Sequence, residues 1–236
     1  MAGSGLRLDL HNHTRFSPDG LMSPAKLLQV AKARGVDCVA VTDHNTVEGA
    51  LEALALSEAD PSLPRVIPGI ELTTAAGEII GLYVREAIPP GLPLLESVER
   101  IREQGGLVYL PHPYDLFRRG AVCRTERLRA AESADIIEVI NGRSLGPRAG
   151  NKAARLARRL GKPAGAGSDA HRKAEVGLSC VLVDAYPTPD TLASLVASGR
   201  LCNGLSPRDY TLNWGMQGLA PVTRMRRRVV GELTRR

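Results

Sequence analysis

The feature that most narrows the fold is an alternation. Short apolar runs of strand length recur between longer stretches with helical apolar spacing, over about 200 of the 236 residues. Residues 6–10, 36–42, 65–72, 78–84, 106–110, 134–140, 162–167 and 179–184 read as strands, and 24–34, 46–58, 94–104, 125–133, 147–160 and 188–198 as helices. Ser23 followed by Pro24 signs the first helix, a capping hydroxyl ahead of proline at the first helical position, and Gly35 is its expected stop. The strand at 78–84 follows the turn TTAAG and is expected to run antiparallel to 65–72. KPAGAG at 162–167 is a strand by position more than by propensity. Strand then helix, repeated six or seven times, predicts an α/β fold, either a closed barrel or a doubly wound sheet. No Pro- or Gly-rich linker divides the chain, so 1–222 are expected to form a single domain. Residues 200–222 read as loop with at most one short strand.

Charge and cysteine content bound the functional classes. Of the net charge of +6, residues 223–236 (TRMRRRVVGELTRR) carry +5, so the body is nearly neutral and the basic character sits in an Arg-rich C-terminal tail. A solvated end is the default reading of such a tail, with RNA or a membrane surface as alternatives. No apolar run approaches the roughly 18 residues of a membrane span, and the N-terminus lacks the pattern of a secretory signal. Cys38, Cys123, Cys180 and Cys202 form no CxxC pair and are expected as reduced thiols, mostly buried. A cytoplasmic location, with no membrane partner, is the resulting expectation.

The five histidines are the chemical signal. His11 and His13 follow LRLDL, His44 follows VAVTD, His112 follows VYLP and His171 follows AGAGSDA. Each lies one to four residues past a strand, and in a βα barrel those positions converge on the face that carries active sites. Asp19, Asp43, Glu71 and Asp169 share the location. Imidazoles and carboxylates converging on one point suit Zn, Mn or Fe, and the HxH spacing aims alternate side chains of an extended segment at one ion. Carboxylates can bridge two ions at the roughly 3.5–4 Å separation of two-metal hydrolases. Competing chemistries are poorly represented. There is no GxSxG elbow and no Walker A loop. GAGSDA at 165–170 matches a degenerate dinucleotide pattern, but Asp169 there would repel a pyrophosphate.

DLHNHTRFSPDG, VTDHNTVEGA, GIEL, LPHPYD and GSDAH, in that order, resemble the PHP (polymerase and histidinol phosphatase) superfamily over roughly residues 6–185. The resemblance implies a distorted (βα)7 TIM-like barrel with two or three divalent ions that hydrolyses phosphate esters. By the same resemblance His11, His13, Glu71 and Asp169 hold one metal, and Glu71 bridges to a second bound by His112. Asp19, His44 and His171 hold a third, while Asp9 and Asp43 orient ligands from behind. Many family members read H-I-L-G-L where this chain reads Glu78-Ile79-Ile80-Gly81-Leu82. Glu78 therefore either ligates as a carboxylate or faces solvent on a hairpin.

The expected reaction is hydrolysis of a phosphate monoester by metal-activated hydroxide, with a third metal or His171 serving the leaving group. Arg118 and Arg143 are the candidate phosphate clamps, because arginine forks match phosphate oxygens, and Asn141 either binds substrate or orients a ligand. Histidinol phosphate, nucleoside 3′,5′-bisphosphates and 5′ ends of short RNA are the candidate substrates. Two other classes remain open: a non-catalytic metal- or RNA-binding barrel, and an amidohydrolase-like C–N hydrolase.

Overall fold

The computed structural model describes residues 5–115, 120–144 and 146–204. Among them the strands are β1 (Leu6–Asp9), β2 (Cys38–Val41), β3 (Arg65–Thr74), β4 (Gly77–Leu82), β5 (Leu107–Leu110), β6 (Ile136–Asn141), β7 (Ala164–Gly167), β8 (Ser179–Val183) and β9 (Arg200–Asn203). The helices are α1 (Pro24–Ala33), α2 (Glu48–Ala59), α3 (Leu94–Glu103), α4 (Arg127–Ser133), α5 (Pro147–Leu160) and α6 (Leu192–Ser198). All nine strands form one sheet, in the order β7-β6-β5-β4-β3-β2-β1-β8-β9.

The sheet curls into a nearly closed barrel, as the alternation predicts. The seam is made just past β1 and β7. Leu10 N–H reaches Ala166 O at 3.3 Å, Asp169 N–H reaches His11 O at 2.7 Å, and His13 N–H reaches Ala170 O at 2.9 Å. β1–β2, β2–β3, β5–β6 and β6–β7 are parallel, and β4 is antiparallel to both β3 and β5. The antiparallel β3–β4 hairpin is the expected one, with Glu71 opposite Ile80 and Thr73 opposite Glu78. β8 pairs antiparallel with β1 on the side away from β2 and then with β9. β9 is the short strand that the loop reading of 200–222 left room for. Residues 205–236, including the whole of the 223–236 tail, lie outside the described residues.

The local rules behave as the sequence suggests. Ser23 Oγ accepts from Lys26 N–H at 3.2 Å, and Leu27, Leu28 and Ala31 of α1 are buried against the sheet. Every residue of β2 is buried, as for a parallel strand covered on both faces. Leu8, Leu10, Ala40, Ile80, Tyr109 and Ala166 pack in one cluster that also takes Leu192 and Val196 of α6. The odd composition of β7 has a packing reason. A Cβ on Gly165 would stand 2.6 Å from the Tyr109 ring, and one on Gly167 would run into His11 and Glu138. β7 is thus built from small residues because bulky neighbours occupy its face, and strand propensity carries no trace of that.

Candidate metal centre

The strand ends bring all five histidines to one mouth of the barrel. His11 and His13 lie on the segment after β1, with Nε2 atoms 3.1 Å apart. Glu71 comes from the middle of the long β3 and is buried. Its Oε2 stands 3.3 Å from His11 Nε2, 3.2 Å from His13 Nε2 and 3.2 Å from His44 Nδ1. Its Oε1 stands 3.2 Å from His112 Nε2. Asp169 Oδ1, from the segment after β7, lies 3.4 Å from His13 Nε2 and 3.8 Å from His11 Nε2. Asp19, in the exposed loop between β1 and α1, reaches His171 Nε2 at 3.0 Å and His44 Nε2 at 3.8 Å. Groups of three ligand atoms within 4.8 Å of one another form four overlapping sets: His13/His44/His171, His11/His13/Asp169, His11/Glu71/His112 and His44/Glu71/Glu78.

The far nitrogens of the rings are pinned in a way that frees the near ones. Glu138 Oε1 takes His11 Nδ1–H at 3.2 Å, so His11 Nε2 keeps its lone pair. Ser17 Oγ donates to Asp43 Oδ1 at 2.7 Å and therefore accepts from His13 Nδ1 at 3.0 Å. The Asp169 carbonyl accepts from His171 Nδ1 at 2.9 Å. Three Nε2 lone pairs are thus aimed inward at carboxylate oxygens. Two facing lone pairs and an anion can share one point only around a cation, which is the chemistry of a metal site. The residues present therefore fit divalent ions.

Electrostatics show the same demand for positive charge, which protons on the rings meet when no ion is bound. Burial lowers the basicity of His11 and His13, but the carboxylates around them outweigh it. Asp169, Glu71 and Glu138 hold His11 well above its ordinary value, and Asp169 and Glu71 lift His13 to about 9. Glu71 is driven well below the ordinary carboxylate range, its burial overcome chiefly by His11 and His44. His171 goes the other way, down to about 4, through burial and the positive charge of His13. Burial also lowers His44. Backbone strain marks the same place: His112 and Asp169 have φ of +29° and +53°, a region that side-chain-bearing residues rarely adopt.

The structure turns some expected residues to other tasks. Glu78 faces inward, 3.8 Å from His44 Nδ1 and 3.9 Å from His112 Nε2, and its side chain is 15% exposed. It does not face solvent. Gly120 makes room for it, since any Cβ there would overlap the Glu78 carboxylate. Asp43 acts behind His13 through Ser17 and also takes Thr14 N–H and Oγ1–H. Asp9 touches no imidazole ring. It accepts Ser168 N–H and Gly177 N–H, which fastens both ends of the segment carrying Asp169 and His171 to β1, and burial pushes its carboxyl up to about 6. Asn141 Nδ2 donates to Glu138 Oε2 at 2.9 Å and Asp169 Oδ2 at 3.0 Å, so it positions two carboxylates, the ligand-orienting one of its two expected roles. Arg143 lies half-buried at the mouth, Nη1 2.9 and 3.1 Å from the two ring nitrogens of His171. Arg118 lies outside the described residues.

Glu138 is the residue that sequence reasoning missed. It is buried in β6, contacts His11, and also takes Tyr109 OH at 3.1 Å and His112 N–H at 2.7 Å. The one available signal was a lone charge inside the apolar run ADIIEVI. Ser17 was missed too, and nothing in its local sequence singles it out.

A barrel with a buried histidine–carboxylate cluster at the strand ends defines a class of metal-binding α/β barrels. The chain belongs to the PHP family: the PHP domain model matches residues 9–143, and a PHP-associated model matches 147–201. An uncharacterised protein of Methanocaldococcus jannaschii is 35% identical over 175 residues, covering 73% of this chain and 68% of that one. A 5′-3′ exoribonuclease of Haemophilus influenzae is 36% identical over 103 residues, and a 3′,5′-nucleoside bisphosphate phosphatase of Chromobacterium violaceum 34% over 107. Each of those two alignments covers 42% of this chain, which spans about a third (36%) of either enzyme. Among solved structures, a two-domain protein of Bacteroides vulgatus containing a predicted PHP-like metal-dependent phosphoesterase superposes with a TM-score of 0.66. It is 17% identical, covering 91% of this chain and 70% of that one, a likeness of fold. Among the described residues no helix is long and apolar enough to cross a membrane.

Proposed function

We propose that this chain is a divalent-metal-dependent phosphoesterase that hydrolyses a phosphate monoester of a nucleotide or other small metabolite. The observation that carries this reading is the placement of Glu71, one carboxylate with one oxygen among His11, His13 and His44 and the other on His112. That is the disposition of a bridging ligand. His11, His13, Glu71 and Asp169 would hold one ion, Glu71 and His112 with Glu78 a second, and Asp19, His44 and His171 a third. Mn, Fe and Zn all suit such N/O ligands.

Divalent ions, when bound, supply the charge that brings a water near neutrality in pKa and offsets the phosphoryl oxygens. The chain's own residues supply the rest. Glu138 and Ser17 fix the tautomers of His11 and His13. Asn141 holds the Asp169 carboxylate in place. Arg143, at the mouth beside His171, offers a guanidinium fork to phosphate oxygens. His171 is held neutral by burial and cationic neighbours, so it suits a lone-pair ligand better than a proton donor to the leaving group. The names of the two partial relatives favour nucleotide phosphates over histidinol phosphate as substrate.

The test pairs metal analysis of the purified protein with a phosphate-release screen over nucleoside 3′,5′-bisphosphates, 5′-phosphorylated oligonucleotides and histidinol phosphate. Two or three Mn, Fe or Zn per chain, with release that a chelator abolishes, is the expected result. Release from none of these after adding Mn, with one ion or fewer retained, would overturn it in favour of a binding role. Turnover of a cyclic amide instead would move it to C–N hydrolysis.

A further inference from the structure

A second charged feature lies beside the mouth and plays no part in the site above. A cleft of about 510 Å³ opens between α4 and α5, lined by Tyr114, Arg124, Arg127, Lys152, Arg155 and Arg159, with Leu156 as an aliphatic wall. Among the described residues that line it there are five cations and no carboxylate. Arg124, Lys152, Arg155 and Arg159 form no ion pair among the described residues. Arg127 makes one long contact with a backbone carbonyl, Val122 O at 3.4 Å, and its buried Nε has no partner. Some helical arginines elsewhere are answered: Arg100 lies between Glu96 and Glu103, and Arg129 sits against Glu126. Five unanswered cations around one concavity repel each other unless an anion fills it.

The shape narrows the anion. Lys152, Arg155 and Arg159 are spaced i, i+3, i+7, so they line one stripe of α5. At 1.5 Å per residue that stripe runs about 10 Å, longer than one phosphate group. The cleft also adjoins the metal-ligand cluster. Tyr114 is two residues beyond His112, and it lines a narrow crevice shared with His112, Glu138 and Asn141. The Tyr114 ring already carries the Arg127 guanidinium, 4.5 Å from its centroid. Little aromatic face is left for a base, so the cleft favours backbone over base recognition.

We propose that the α4–α5 cleft binds the phosphodiester backbone of a single-stranded oligonucleotide, independent of sequence, as the strand runs away from the metal-ligand cluster. This rests on the reading above that the substrate is a nucleotide phosphate, but its test does not depend on hydrolysis. Binding of a fluorescent, cleavage-resistant 2′-O-methyl octanucleotide to the protein as purified is followed by anisotropy against salt. Wild type is compared with R155E/R159E and with a charge-matched control, K26E/K32E, on α1. The expected result is a loss of at least about tenfold in affinity at low salt for R155E/R159E alone, and a salt slope shallower by about 1.4, since each single-strand phosphate contact adds about 0.7. Should charge reversal lower the thermal midpoint, K152Q/R155Q provides the same readout at milder cost. Equal losses in the cleft and control variants would overturn the proposal as general electrostatics. No loss in either would also overturn it, as would octanucleotide binding no tighter than that of a nucleoside bisphosphate. A polyglutamate of equal charge binding as tightly would overturn it in favour of an acidic peptide.

Discussion

The barrel mouth and the α4–α5 cleft are neighbours joined through the His112–Tyr114 loop, and they treat charge in opposite ways. At the mouth, each imidazole faces a carboxylate within 4 Å, and burial is nearly complete except at His44 and the exposed Asp19. In the cleft, five cations share open space with no counter-charge among the described residues. Buried charges are tolerable only when answered, whereas exposed ones can wait for a ligand at little cost. The mouth is negative and lined by inward lone pairs, so it fits cations. The cleft is positive and long, so it fits an anion of several charges. On the two proposals above, the mouth would hold the ions that face the phosphoryl group, and the cleft would hold the rest of the strand.

The sharpest way to break that comparison is at Glu71. Glu71→Ala should cost more activity than any outer partner, well above the roughly 10–100-fold typical of those, and at least one metal ion per chain. Retained metal and activity would remove Glu71 from the centre of the site. Glu138→Gln keeps the shape of β6 but weakens the hold on His11, and should cost about 10–100-fold in metal affinity or rate with folding intact by circular dichroism. Glu78→Ala should lower metal content or affinity by a smaller factor, about tenfold. Gly120→Ala should reproduce it, because the added methyl displaces the Glu78 carboxylate; a normal metal load in both variants would make Glu78 a bystander.

A milder effect concerns pH. In chelated protein, His13 is raised from its ordinary 6.5 to about 9 and His11 is raised as well. Their stabilising contribution is full below pH 6.5 and lost as pH climbs through about 9. The thermal midpoint of the chelated protein should fall across that window. The metal-loaded protein should not follow it, because ligation requires the deprotonated rings. A chelated midpoint that is flat or rising would contradict the electrostatics of the mouth. The smallest effect belongs far from both regions. Ser23→Ala removes the cap of α1 and should cost about 1 kcal/mol in chemical denaturation, with metal content and oligonucleotide binding unchanged.

The sequence made the mouth more legible than its supports. The five histidines stand out because they are few and fall after strands, and the β3–β4 hairpin is written in the TTAAG turn. Residues that act through others are hidden for physical reasons. Glu138 sits in a strand whose remaining residues are apolar or packed away, and its partners His11, Tyr109 and Asn141 meet it only when the barrel curls. Ser17 works as a relay between Asp43 and His13 from opposite sides of the mouth. Asn141, at a strand end, left substrate contact and ligand orientation both open in the sequence, and only the fold puts its amide against two carboxylates. The arginines of α5 read as a solvated face in one dimension. Only the packing of α4 beside them turns that face into a concavity.

The seam of the barrel has a further consequence. It ties Asp9 to Ser168, 159 positions later in the chain, and sets His11 and His13 of the first strand unit beside Asp169 of the last. No nascent fragment that ends before β7 contains both sides. An ion held by His11, His13 and Asp169 would therefore act as a clasp fastened only after synthesis has passed residue 169. Metal retention would then report synthesis past residue 169, and products truncated before it would be recognisable by their failure to keep that ion.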